Sequence, residues 1–142
     1  MSQENVEIVR RAIEAFNERG DDYPDGLDAF YDASIEFHES PELPEPGIYK
    51  GSEAVAAYFI QFLDSFEDYR FDIEEIWDAG DNVLVFNRQH GRGKGSGAQV
   101  EMRNAWLFIL RDRRIIQIRP YLDRAEALEA VGLSEQDARA DS

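Results

Sequence analysis

Two histidines, His38 and His90, stand in a chain that has no cysteine. Thiolate nucleophiles, disulfides and sulfur-bound zinc therefore drop out, and proton transfer by imidazole or carboxylate is the chemistry left within reach. His38 is the better placed of the two. It sits between Glu36 and Glu39, just ahead of a proline-rich stretch, where an imidazole can act as acid or base. The same place suits a strand histidine that merely hydrogen bonds to backbone or to Glu36 or Glu39. His90 ends a strand beside a glycine run and reads as exposed. His38, Glu39, Glu42 and His90 are metal-ligand types without the tight spacing of a metal site, so no metal or other cofactor is expected. No nucleophile elbow and no hydrolase or deaminase signature is present.

The element that would position such groups is a long hairpin from Ala98 to Leu122. On its first arm Ala98, Val100, Met102, Asn104, Trp106, Phe108 and Leu110 share one parity, an apolar strand face broken once, at Asn104. A buried amide must find partners or costs about 1 to 3 kcal/mol, so Asn104 either pairs with a neighbouring side chain or points into a pocket and orients a ligand. Trp106, Phe37, Tyr58, Phe62 and Trp77 would wall that pocket, although aromatic stripes at these spacings also make plain core. Arg103 and Arg119 can meet a carboxylate ligand, or the chain's own acids.

The other elements follow from periodicity. Val6, Val9, Ala12, Ile13 and Phe16 form one stripe of a first helix capped by Ser2 and ending near Gly20. After a turn at Asp21, Asp22, Tyr23 and Pro24, a short helix from Leu27 to Tyr31 buries Leu27 and Phe30. A strand from Ser34 to Glu39 puts Ile35, Phe37 and Glu39 on one side and Glu36 and His38 on the other. Prolines 41, 44 and 46 make Ser40 to Gly47 an extended loop that can close over a cavity. Val55, Tyr58, Phe59, Phe62, Leu63 and Phe66 define a helix opening at Gly51 and Ser52, packed across a sheet. Strands follow at Tyr69 to Trp77 and Val83 to His90, separated by a turn at Asp78 to Asn82. The alternating glycines from Gly91 to Gly97 precede a strand rather than a helix, so they read as a mobile or bulged connection, not a phosphate cradle. Asp123 and Glu126 cap a last helix closed by Gly132, and a polar tail follows.

With 142 residues this is one domain, residues 1–133, with a tail at 134–142. The layout is α+β, with helices gathered on one face of a mostly antiparallel sheet. A net charge of −15 excludes general nucleic-acid binding. From Arg88 to Arg124, however, nine Lys or Arg face three Asp or Glu, a local +6 that leaves the rest at −21. Mutual charge complementarity within the fold is the plainer account; an anionic ligand near the basic arms is the sharper one. No run reaches membrane-spanning length and no apolar leader precedes the first helix, so a cytoplasmic protein is expected.

This order resembles the SnoaL-like branch of the nuclear transport factor 2-like superfamily, shared with ketosteroid isomerases and polyketide cyclases. The resemblance is carried by Val6 to Asn17, Asp32 to His38, Tyr49 to Gly51, Ala79 to Val85, Gly95 to Gly97 and Tyr121 to Leu133. It implies a cone-shaped curved sheet with the helices of the N-terminal half on its concave face and a short C-terminal helix. It also implies a pocket between sheet and helices and a homodimer through the sheet. The positions of the ketosteroid isomerase general base, oxyanion aspartate and tyrosine carry Phe37, Trp106 and Ala12, so no steroid isomerase chemistry is implied. Where near relatives have glycine this chain has Arg113. A left-handed residue there would cost about 1 to 2 kcal/mol, so another turn is expected, leaving open whether Arg119 or Pro120 faces the pocket.

Three functions fit these residues. One is binding of a small apolar or anionic molecule in the pocket. The second is cofactor-independent proton transfer, of isomerase, cyclase or hydrolase type, with His38 as acid or base and Asn104 orienting an oxygen. The third is a dimeric interaction module whose cavity is packed shut by Trp106, Phe37 and Phe62.

Overall fold

The computed structural model of the chain describes residues 2–20, 23–25 and 27–135. The turn expected at Asp21 and Asp22, the side chains of Ser2 and Leu27, and residues 136–142 of the expected tail lie outside that description. In chain order come α1 (Ser2–Asn17), a 3-10 turn (Leu27–Ala29), β1 (Tyr31–His38), β2 (Ile48–Lys50), α2 (Ser52–Leu63) and β3 (Phe66–Ala79). They are followed by β4 (Asn82–Gly93), β5 (Gln99–Arg111), β6 (Arg114–Tyr121) and α3 (Arg124–Ala130). The strands form one unclosed sheet in the order β2-β1-β6-β5-β4-β3. Every pairing is antiparallel except β1 with β6, which run parallel.

Strand parity splits the sheet into two faces with separate cores. Val83, Val85, Phe108 and Ile118 look inward with Phe37 and Phe71 and pack against Val9, Ala12, Ile13 and Val55 of α1 and α2. Leu84, Phe86, Ala105 and Leu107 look outward and are covered by Ala127 and Leu128 of α3. The closing helix therefore lies on the opposite face from α1 and α2, which corrects the expectation of helices on one face. The doubly apolar second half of β5 is the reason: Trp106 and Phe108 need cover on one side, Leu107 and Ile109 on the other. At the start of α3 the Asp123 carboxylate accepts from Ala125 N at 2.9 Å, and at its end Gly132 has the left-handed φ of +73° expected of it.

Three further expectations are revised. Phe66 starts β3 rather than closing α2, whose last residue is Leu63. The expected short helix is only a 3-10 turn, because Tyr31 is already in β1. Residues Ile48–Lys50, left unassigned by the sequence, pair with Glu36 to His38 as the edge strand β2.

The β5–β6 turn uses the conformation that sequence reasoning rejected. Asp112 and Arg113 have φ of +52° and +66°, and Arg111 pairs with Arg114 across them, a two-residue hairpin of the twist that adjoining strands favour. Twist matching outweighs the local penalty, and Arg113 gains an exposed contact to Glu4 Oε1 at 2.9 Å. A bulge between Ile109 and Leu110 shifts the register, after which Trp106 stands opposite Pro120 and Leu107 opposite Arg119. Pro120 thus shares the inner face with Trp106.

The position of α1 rests on its last turn. Asn17 Nδ2 donates to Phe71 O at 2.8 Å, and Asn17 Oδ1 accepts from Phe71 N at 2.9 Å. Just beyond, the Arg19 guanidinium donates to Phe16 O and Tyr69 O at 3.0 and 2.9 Å and lies over the rings of both residues. Replacing Arg113 by glycine should remove most of the left-handed cost, about 1 kcal/mol, while losing an exposed ion pair of little value. The expected result is a thermal midpoint raised by about 3 °C, read by calorimetry.

Candidate functional site

Between the inner face of the sheet and the helices lies a cavity of about 720 Å³. Its walls are Ile13 and Phe16 of α1, Phe59 and Phe62 of α2, and Tyr69, Phe71, Trp106 and Phe108 of the sheet, with Tyr23 and Tyr31 beside the connector. These walls surround the space over the sheet where α1, held to β3 by Asn17, and α2, crossing β1, meet through the rings of Phe16 and Phe59, with centroids 6.4 Å apart. The cavity is open, so the packed-shut alternative does not hold. Trp106 instead packs edge-on against Phe37 and Phe71, with ring centroids 5.5 and 4.8 Å away, and leaves space beside it.

The polar groups of this face are few. Among the described residues, Trp106 Nε1 is a buried side-chain nitrogen with no hydrogen-bond partner. Tyr69 OH donates to Gln89 Oε1, and Gln89 Nε2 donates to Asn87 Oδ1 at 3.0 Å and to Asn104 Oδ1 at 3.2 Å. Burial pushes the phenol of Tyr69 well above its ordinary pKa, does the same to Tyr31, and moves Tyr23 up to about 12. The wall therefore stays neutral at physiological pH. Charge appears only among exposed lining residues: Asp25 and Asp28 in the connector, Glu53 on α2 and Arg114 on β6.

A family model described as the SnoaL-like domain matches residues 9–118. The chain belongs to the SnoaL-like family. No curated protein matches the sequence. Among solved structures, this SnoaL-like chain is similar to a protein described as a SnoaL-like polyketide cyclase from Jannaschia sp. CCS1, at 22% identity and a TM-score of 0.74, covering 93% of this chain and 94% of that one. A second, from Catenulispora acidiphila, has a ketosteroid isomerase-like fold and was solved with trimethylamine; identity is 21%, TM-score 0.69, and coverage 90% and 94%. A third, TerC, was co-crystallised with polyporic acid, at 15% identity, TM-score 0.70 and coverage of 90% and 98%. At these identities the likeness is one of fold.

In the SnoaL-like domain the residues singled out from the sequence are dispersed. Trp106 and Phe62 line the cavity. Phe37 is buried behind Trp106 and is not in the lining. Tyr58 turns toward β1 and β2, stacking on Tyr49 and donating to Glu39 Oε2 at 3.0 Å; burial, and then this bond, raise its pKa. Asn104 lies on the inner face but outside the lining, its Oδ1 taken by Gln89. His38 and Arg119 are on the outer face, separated from the cavity by the sheet itself. His38 Nε2 is 2.9 Å from Glu36 Oε1, whose carboxyl this contact holds below its ordinary pKa, and Arg119 Nε donates to Gln117 Oε1 at 2.5 Å. The basic arms also lie outward, where Arg88 meets Glu101, Arg103 meets Glu74, and Arg124 meets Glu75.

Sequence reasoning missed Asn87 and Gln89, which are 1% and 3% exposed. The signal was present, since both continue the parity of Val83 and Val85 along β4. It missed the connector residues Tyr23, Asp25 and Asp28 for want of any signal, as their composition reads only as a turn. Asn104→Leu should remove one partly buried hydrogen bond, about 1 kcal/mol, while Gln89 keeps Asn87. A midpoint lowered by about 3 °C in thermal unfolding is the expected result; a midpoint at or above wild type would show an amide held against stability.

Proposed function

We propose that this SnoaL-like domain binds a small, mostly apolar molecule that enters the cavity. The observation that carries this reading is the cavity itself, open, about 720 Å³ in volume and walled mostly by aromatic side chains. The cavity volume falls within the range of about 300 to 1,000 Å³ usual for small-molecule sites. Two fold neighbours solved with small molecules are in keeping with it.

Binding without catalysis is the form we favour, because the lining offers no imidazole and its buried polar groups are phenols and an indole. Proton transfer through His38 would need a substrate on the outer face, where that ring is engaged with Glu36. Of the ligand-facing roles given to the residues above, we retain those of Trp106 and Phe62, with Phe37 and Tyr58 supporting the wall. The domain limits 1–133 and a cytoplasmic location remain part of the proposal.

The test uses emission from Trp106 and titration calorimetry with naphthalene and 2-acetylnaphthalene. Both should bind wild type, as an apolar wall around a volume of this size implies. Ala56→Phe, which fills the cavity from α2, should abolish both. No binding of either probe to wild type would end the reading.

We further propose a homodimer through the outer face of the sheet. Its support is the alternation of Asp72, Arg88, Glu101, Arg103 and Glu74 on the part α3 leaves uncovered, a pattern that a second copy can complement. Sedimentation velocity should give a dimer that dissociates on Arg88→Glu with Arg103→Glu; a wild-type monomer at all concentrations would refute it.

A further inference from the structure

From the charges around the cavity we infer that the ligand is an amine, an aromatic or alkyl body carrying a protonated nitrogen that stays at the entrance beside Asp25, Asp28 and Glu53. This inference rests on the binding reading above and adds the ligand's charge. The charged lining residues are these three carboxylates and Arg114, and all four are exposed while the aromatic wall is not. The carboxylates differ from most acids of the sheet. Among the described residues none of the three makes an ion pair or a side-chain hydrogen bond, whereas Asp72, Glu74, Glu75 and Glu101 are each held by arginine. Arg114 does not cancel them: its Nη1 is turned to Asp28 O at 2.8 Å, and its field is shared with Asp32.

The entrance therefore carries three unneutralised negative charges against one shared positive charge, on a chain of net charge −15. Long-range field and local charge have the same sign, and both draw cations to the cavity and repel anions. Of the basic arms, Arg88, Arg103 and Arg124 sit across the sheet with their own acids, and Arg114 is their guanidinium in the lining.

The experiment compares naphthalene probes of matched size near neutral pH: 1-naphthylmethylamine, 1-naphthalenemethanol and 1-naphthoic acid, each titrated into the full chain at low and at high salt. The amine should bind about tenfold more tightly than the acid at low salt, as two net charges several ångströms away in a solvated entrance imply. High salt should cut the ratio to about threefold or less. In Asp25→Asn, Asp28→Asn, Glu53→Gln, a triple variant of exposed residues, the ratio should fall toward one. The inference is overturned if the acid matches the amine on wild type, or if the ratio survives in the variant. The neutral alcohol separates the two levels. Alcohol bound with no charge preference sinks the amine inference alone, and failure of all three probes sinks the binding reading with it.

Discussion

A single side-chain amide sets the distance on which the rest of the molecule depends. Asn17 reads both the N–H and the C=O of Phe71, as a neighbouring strand would, and so docks the end of a helix onto the backbone of the sheet. Nonpolar packing alone would let α1 settle until the gap closed, because apolar contact has no direction. A two-point hydrogen bond does have direction. With Arg19 gripping Tyr69 O two residues later, α1 is pinned at the β3 side while α2 lies over β1. The cavity is then the space left between the curved sheet and two helices anchored over different strands.

The inner face manages that space with two kinds of side chain. Around Trp106 it is aromatic and open. One pairing further along β4 and β5 it becomes amide, with Asn87, Asn104 and Gln89 linked to one another and to the hydroxyl of Tyr69. Such a linked set is favourable only when its members find partners, and each of these side chains does. The set fixes the Tyr69 ring, a cavity wall, from behind. Asn104 is linked to that wall through Gln89 and Tyr69.

Much of this was legible in the chain itself. The parity of β5, the stripes of α1 and α2 and the cap at Asp123 are periodic or local signals, and the elements they mark are present. His38 shows a conflict that was also legible. Ile35 and Phe37 mark the buried parity of β1, which puts His38 on the opposite face, so a pocket role required it to break its own strand's alternation. What the sequence did not carry is non-local. The three-residue strand β2 exists only through pairing with β1, the side taken by α3 depends on which face of β5 is left bare, and the turn at Arg113 is set by strand twist against local preference.

The parallel pairing of β1 with β6 has a consequence for the order of assembly. Tyr31 meets Ile115 and Phe37 meets Ile118, so the first strand to be synthesised waits for the last before gaining a neighbour on that side. The meander from β3 to β6 contains only sequential antiparallel pairs and can form from nearby segments. On a ribosome, α1 and β1 emerge first with their apolar faces uncovered and complete the sheet only when the C-terminal strand is free. The cavity is therefore a late product of folding, and during synthesis the N-terminal segment is the one most in need of protection from other chains.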